Sequence, residues 1–294
     1  MDDYVIYRKI AESKGSISFL AYDRNFSDTI ILKKYSFTTA KDREDLEKSL
    51  LLGIRAYNNL PSSNFILRQF ELVNVSKTSL YVTYELCKYG SLINWLIERG
   101  RMSRVDLNEL LRTLICAVNF LHKNNIFHAF IDPTTIEFRD WKVSSLCLVN
   151  PEISNTFNDP ANKNRRYCFS PEMLKIFKTC DKPQKRRDLL KGLTLKTDIW
   201  SLGSVLTLIL LGRPLCKLKM EHVKTEFENF LHPEVISIVT KFLYKNPLKR
   251  PTTDSIIKDW PIIFYDYEDD EIFHLIEFNI INTFMMYRLD KKLL

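Results

Sequence analysis

Two hydrophobic periods divide this chain, and their order limits the folds open to it. Up to about residue 85 the apolar residues fall in short β-like runs: Tyr4 to Ile10, Ile17 to Tyr22, Thr29 to Tyr35, Phe70 to Val75 and Leu80 to Glu85. Turn-type residues bound these runs, as expected for strands. One helical stretch interrupts them, from about Lys41 to Asn58, where Leu46, Leu50 and Ile54 recur at every fourth position. From Ser91 onward the period becomes helical, and Leu107, Leu111, Leu114, Val118 and Leu121 advance by four, three, four and three, which places them on one face of a buried helix. Strands first and helices second predict an α+β fold of two lobes. The first lobe is expected over about 4–85 and the second over 91–262, with 86–90 as the hinge and 263–294 as a tail. That tail opens with Asp266, Glu268, Asp269, Asp270 and Glu271, then carries Phe273, Ile276, Ile280, Phe284 and Tyr287 along one side of a candidate helix.

Composition narrows the reading. With 294 residues, of which 45% are hydrophobic, the chain has the apolar material for one large domain or two joined lobes. No run of about 18 or more uncharged apolar residues occurs, and the amino terminus is acidic where a secretory signal is basic. An intracellular protein, cytoplasmic or nuclear and without a membrane anchor, is expected. The six cysteines are scattered without Cys-x-x-Cys spacing or histidine pairs, so buried, reduced thiols are expected rather than a zinc site. Seven glycines fall far below the usual share of about 7%, which argues against a glycine-rich phosphate loop. A net charge of +7 permits acidic partners, but no aromatic-interleaved basic motif points to nucleic acid. Positive charge gathers between Lys163 and Lys196, where eleven Lys or Arg accompany three acidic residues. A solvated insertion, a docking surface for an acidic partner and a nuclear-import signal all fit that stretch.

Three motifs carry a resemblance. Residues 194–215 read TLKTDIWSLGSVLTLILLGRPL, with Asp198, Trp200 and Gly203 in an Asp-x-Trp-x-x-Gly pattern. Phe169-Ser170-Pro171-Glu172 and Asn246-Pro247-Leu248-Lys249-Arg250-Pro251-Thr252 flank it. Together these resemble the large buried helix, the Ala-Pro-Glu end of the activation segment and the Asp-Pro-x-x-Arg-Pro-Thr motif of the eukaryotic protein kinase superfamily, of serine/threonine type. The resemblance implies a bilobal kinase-like fold in which Asp198 fixes the catalytic-loop backbone and Glu172 pairs with Arg250. It also makes Leu80 to Leu92 the fifth strand, hinge and following helix, with Tyr84 guarding the back of a nucleotide pocket and Glu85 to Cys87 facing adenine.

The same resemblance shows substitutions where phosphoryl transfer needs specific groups. The catalytic loop reads His128-Ala129-Phe130-Ile131-Asp132-Pro133-Thr134-Thr135, so Phe130 stands at the catalytic Asp position and Thr135 at a magnesium-ligand Asn position. Asn150 replaces the second metal carboxylate, and Glu152 the glycine after it. An amide carries no formal charge to offer a hard dication. Ala11, Ser13 and Ser16 replace the three glycines over the phosphates, and Gly15 is one residue out of register. Lys33, in Ile30-Ile31-Leu32-Lys33, is the candidate phosphate-binding lysine, with Glu47 as its partner if the loop before Pro61 is longer than usual; with a shorter loop the matching position is near Gly53 and no ion pair forms. The other reading of Lys33 is as one of a Lys33-Lys34 pair on an edge strand.

These substitutions predict a pseudokinase rather than an enzyme, regulating or scaffolding a protein partner, itself a kinase or an acidic surface, that meets the basic 163–196 region. ATP remains open as a ligand, and magnesium is not expected. The alternatives are an unorthodox active serine/threonine kinase using Lys33 with Asp132 or Glu152 as a relocated acid, and an ATP-binding switch without turnover.

Overall fold

A computed structural model of the chain describes residues 2–13, 16–61, 63–76, 78–99, 101–149, 166–179, 193–212, 215, 218, 220–229, 231, 233–259 and 276–277. The chain forms two compact units, one of residues 1–88 with 149–163 and the other of residues 89–148 with 164–294. The architecture is α+β, with an antiparallel sheet in the first unit and helices dominating the second.

In the first unit β1 (Tyr4–Ser13), β2 (Ser16–Asp23), β3 (Asp28–Ser36), β5 (Ser79–Glu85) and β4 (Gln69–Ser76) lie side by side in that order. Tyr4, Ala21, Ile30, Leu32 and Tyr81 form a buried cluster, with Phe19 and Val73 packed against it. The sheet curls around this cluster. β1 and β4 are its two outer strands, yet the Tyr4 hydroxyl donates to Glu71 Oε1 across the gap between them. Burial first, then that hydrogen bond and the carboxylate charge, push the Tyr4 pKa well above the usual phenol value.

Between β3 and β4 runs α1 (Ala40–Asn58), packed against β4. Thr39 and Asp42 start it: the Asp42 backbone N–H donates to Thr39 Oγ1 at 3.1 Å, and the hydroxyl donates back to Asp42 Oδ2 at 2.7 Å. This satisfies one of the donors that a helix start leaves open. Leu46, Leu50 and Ile54 are buried along one side, the stripe that the four-residue repeat marks.

The second unit is built around α5 (Lys196–Leu211), in which every residue from Thr197 to Leu210 is buried. A helix apolar on all sides must be wrapped on all sides. Its neighbours include α3 (Arg104–Lys123) and α7 (Pro233–Phe242), with α6 (Met220–Phe227) beside them. Gly203 permits the closest approach, because a Cβ there would lie 2.7 Å from Leu243 Cδ2 and 3.1 Å from Phe242 Cβ. Gly212, at φ 59°, ends the helix in the left-handed cap that glycine favours.

Ahead of α3 come α2 (Leu92–Arg99) and the two-residue β6 (Arg101–Met102). Ser103 and Asp106 form a reciprocal capping box at the start of α3. A short hairpin, β7 (Ile136–Phe138) with β8 (Leu146–Leu148), follows. Phe138 stacks on Trp95 at 5.0 Å, and Gly90, at φ 64°, accepts a hydrogen bond from the Phe138 N–H. The remaining described helices are α4 (Pro171–Thr179) and α8 (Thr253–Asp259).

Two expectations change here. Of the residues assigned to a tail helix, the described pair Ile276–Glu277 is instead a short strand, β9, antiparallel to β6; backbone pairing to a waiting edge overrides a local helical pattern. Cys116 is only partly buried, whereas Cys87, Cys147 and Cys168 are buried, and all four are free thiols. Cys180, Cys216 and most of the tail lie outside the described residues. Among the described residues no helix is long and apolar enough to cross a membrane.

Candidate functional site

The loop after α3 is held from below by one carboxylate. Asp198, in the first turn of α5, is fully buried. Its Oδ2 accepts from the His128 backbone N–H at 2.7 Å, and its Oδ1 from the Ala129 N–H at 2.7 Å. His122 Nε2 lies 3.0 Å from Oδ2, and its other nitrogen is 3.4 Å from Thr253 Oγ1. Four groups from three chain segments thus converge on or around one side chain. A buried carboxylate is tolerated only when its oxygens are satisfied in this way. The anchoring also sustains strain. Ala129 sits at φ 66°, a left-handed conformation that costs a non-glycine residue about 1–3 kcal/mol.

Beyond the strained residue the loop turns inward. Phe130 is 3% exposed, and its ring meets Phe169 edge-on at 5.6 Å between centroids. Phe169 in turn packs on Phe177 of α4 at 5.2 Å. The position where the resemblance puts the catalytic Asp is therefore part of an aromatic cluster. A phenyl ring there neither accepts nor orients a proton.

Asp132 and Thr135 close the loop on itself. Asp132 is 4% exposed, and its Oδ1 accepts from the Thr134 N–H at 2.6 Å and the Thr134 hydroxyl at 2.5 Å. The Thr135 hydroxyl accepts from the Asp132 N–H at 3.0 Å and lies 2.9 Å from the Phe130 carbonyl oxygen and 3.0 Å from that of Asp132. Both side chains are turn-formers here. Neither is presented as a metal ligand: the Thr135 oxygen is neutral and engaged, so it does not fit a magnesium ion that takes charged oxygens in near-octahedral array. Asn150 and Glu152 lie outside the described residues. Among the described residues no group of three or more His, Cys, Asp or Glu side chains could hold a metal ion.

A second network ties α4 to the end of the unit. Arg250 Nη1 and Nη2 donate to Glu172 Oε1 at 2.6 Å and Oε2 at 2.9 Å, a bidentate pair. Its three other N–H groups reach the backbone oxygens of Tyr244 at 2.8 Å, Lys196 at 2.9 Å and Lys245 at 3.2 Å. All five guanidinium donors are satisfied, and the cation lies 5.1 Å from the centre of the Trp200 ring. Burial works to raise the Glu172 pKa, but the Arg250 hydrogen bonds and charge outweigh it and hold the carboxyl below its usual value. Lys196, counted by charge in the basic stretch, belongs to this network too, since its Nζ donates to the Arg250 carbonyl at 2.5 Å.

In the first unit Lys33 is partly buried on β3, with its ammonium 5.2 Å from the centre of the Tyr35 ring. Glu47, offered by the sequence as its partner, pairs with Arg43 one turn earlier at 3.9 Å. The register sets Ile31 directly opposite Tyr84. Two large side chains therefore share one face of the sheet beside Lys33. The turn between Ser13 and Ser16 lies outside the described residues, as do residues 163–165 and 180–192 of the basic stretch.

Sequence reasoning missed His122, Thr253 and the Phe169 contact. A histidine after an apolar stripe carries no pattern of its own, and only folding brings residues 122, 198 and 253 together.

The model of the protein kinase domain family matches residues 4–260. The chain is 23% identical over 241 residues to the "Probable serine/threonine-protein kinase CCRP1" of Zea mays, covering 78% of this chain and 36% of that one. It is 23% identical over 221 residues to calcium-dependent protein kinase 13 of Arabidopsis thaliana, covering 72% and 38%, and 23% over 221 residues to calcium-dependent protein kinase 3 of Oryza sativa subsp. japonica, covering 72% and 36%. The chain thus spans between a third and two fifths of the length of these relatives. The expectation of a non-enzyme is corrected by these matches, which point to a protein kinase. Counting missing side chains records which groups are absent, but phosphoryl transfer rests largely on positioning and charge stabilisation, which such a count does not measure. By its family match and its α+β architecture, this chain belongs to the protein kinase family.

Proposed function

We propose that this chain is a serine/threonine-type kinase domain that turns over slowly and exerts a regulatory or scaffolding effect on a protein partner. The observation that carries the reading is Phe130, buried in an aromatic cluster at the base position of a loop whose backbone anchoring is complete. A positioned acid–base group contributes about 10²–10⁴-fold to a rate, so a loop lacking one is slow without being empty of function. Lys33 is the residue to which we assign the phosphates of ATP. Thr135, a neutral oxygen engaged within its own loop, argues against ordinary magnesium ligation. On the partner side, Lys175 and Lys178 of α4 are exposed members of the basic 163–196 stretch and suit an acidic surface.

The test combines transfer and binding. Labelled ATP is offered with serine and threonine peptide libraries, with and without Mg²⁺ or Mn²⁺, to the native chain, to Phe130→Asp and to Lys33→Met. Slow transfer that rises in Phe130→Asp and vanishes in Lys33→Met is expected. Native transfer as fast as that of Phe130→Asp would overturn the slow-turnover reading. Partner capture unaffected by Lys175→Glu with Lys178→Glu would remove the basic stretch as the docking surface.

A further inference from the structure

The edge where α2 gives way to α3 carries three arginines in its sequence and is already paired to a distant piece of the chain. β9 meets β6 there, with Arg101 opposite Glu277 and Met102 opposite Ile276. Two residues of strand have no stability of their own, so the contact depends on what surrounds it. The platform is well fixed. Met102 is fully buried, and Arg99 reaches Asp106 at 3.0 Å while lying 4.8 Å from the centre of the Trp95 ring. The Ser103–Asp106 capping box sets the first turn of α3. On either side, Ile97 is 49% and Val105 50% exposed.

The segment that supplies β9 has the matching chemistry. Five of the six residues 266–271 are acidic, and Phe273, Leu275, Ile276 and Ile280 follow. On the platform Arg99, Arg101 and Arg104 lie within six residues.

We propose that the α2–β6–α3 edge is a docking surface for the chain's own C-terminal segment, residues 266–280. It adds a strand at β6, and the five carboxylates that precede β9 in the sequence complement in charge the three arginines of the edge. Main-chain pairing supplies the attachment and the side chains supply the selectivity, as in other strand additions. The connection from α8 to β9, residues 260–275, is short enough to hold the segment at an effective concentration in the millimolar range. That favours the chain's own segment over an added peptide or a second copy.

Hydrogen exchange of the full chain, read by mass spectrometry over a wide range of protein concentration, tests it. Peptides covering 99–103 and 274–279 are expected to exchange at least about tenfold slower than free chain, to the same extent at every concentration. Ile276→Pro combined with Glu277→Pro removes both backbone donors of β9 and should abolish protection of 274–279 and lower that of Arg101 and Met102. Glu277→Arg should weaken it, and Arg101→Glu combined with Glu277→Arg should restore it. Exchange of 274–279 at the free-chain rate overturns the proposal. Protection that grows with concentration also overturns it, by assigning the pairing to a second copy. Protection of 274–279 that survives both prolines does the same, because it then owes nothing to pairing with β6.

Discussion

Replacing Glu172 by glutamine keeps the side chain's shape and removes the charge that the Arg250 guanidinium is built around. Arg250 is 1% exposed with every N–H paired, and the glutamine amide would turn one NH₂ toward a donor, leaving one guanidinium N–H without an acceptor. Breaking one side of a buried ion pair costs about 3–5 kcal/mol. The Glu172 side chain keeps 23% exposure, so water relieves part of that, and about 3 kcal/mol is expected. At about 2–4 °C per kcal/mol for a domain of 150–250 residues, the midpoint of thermal unfolding should fall by about 6–12 °C. The pH dependence identifies the cause. Because the folded pKa of Glu172 lies below its usual value of 4.5, its stabilisation is present above that pH and is lost as the pH falls through the folded pKa. Urea unfolding of both chains from neutral pH to below 4 should therefore show the difference narrowing on the acid side. A gap under about 0.5 kcal/mol at neutral pH, or one that does not change with acid, would refute this account of Arg250.

Other expectations follow from single contacts. Gly203→Ala puts a methyl into Leu243 and Phe242, and the overpacking should cost about 1–3 kcal/mol, outweighing the gain of about 1 kcal/mol in helix propensity; thermal unfolding decides the sign. Asp198→Asn leaves one acceptor oxygen for the His128 and Ala129 N–H groups, and the loss of about 1–3 kcal/mol should appear with faster amide exchange at both residues. Thr135→Val removes the hydroxyl that ties Asp132 N–H to the Phe130 carbonyl, at a similar cost read by urea unfolding. Ala129→Gly relieves left-handed strain of about 1–3 kcal/mol, more than the roughly 0.4–1 kcal/mol that glycine adds to unfolded-chain entropy, so the midpoint of thermal unfolding should rise.

The two-lobe α+β order is legible in the chain because burial enforces a period of 2 on strands and about 3.6 on helices. The runs at 4–10 and 17–22 and the repeat at Leu46, Leu50 and Ile54 lie within β1, β2 and α1. The pairing of Ile276–Glu277 as a strand was not legible, since its partner at Arg101–Met102 is 175 positions away and one hydrophobic pattern suits either state. In the catalytic loop the sequence shows which residue type stands at each motif position. It does not show that Asp132 and Thr135 face inward to bond their own loop.

Covalent order alone therefore determined the class of fold, the family motifs and the substitutions at Phe130, Thr135 and Asn150, because those are matters of residue identity and spacing. Tertiary structure decided the partnerships. Asp198 gathers His122, His128 and Ala129, and Arg250 gathers Glu172, Lys196, Tyr244 and Lys245. Hydrogen bonds and ion pairs act over about 3–4 Å, and residues far apart in the chain come within that range only after the core has packed.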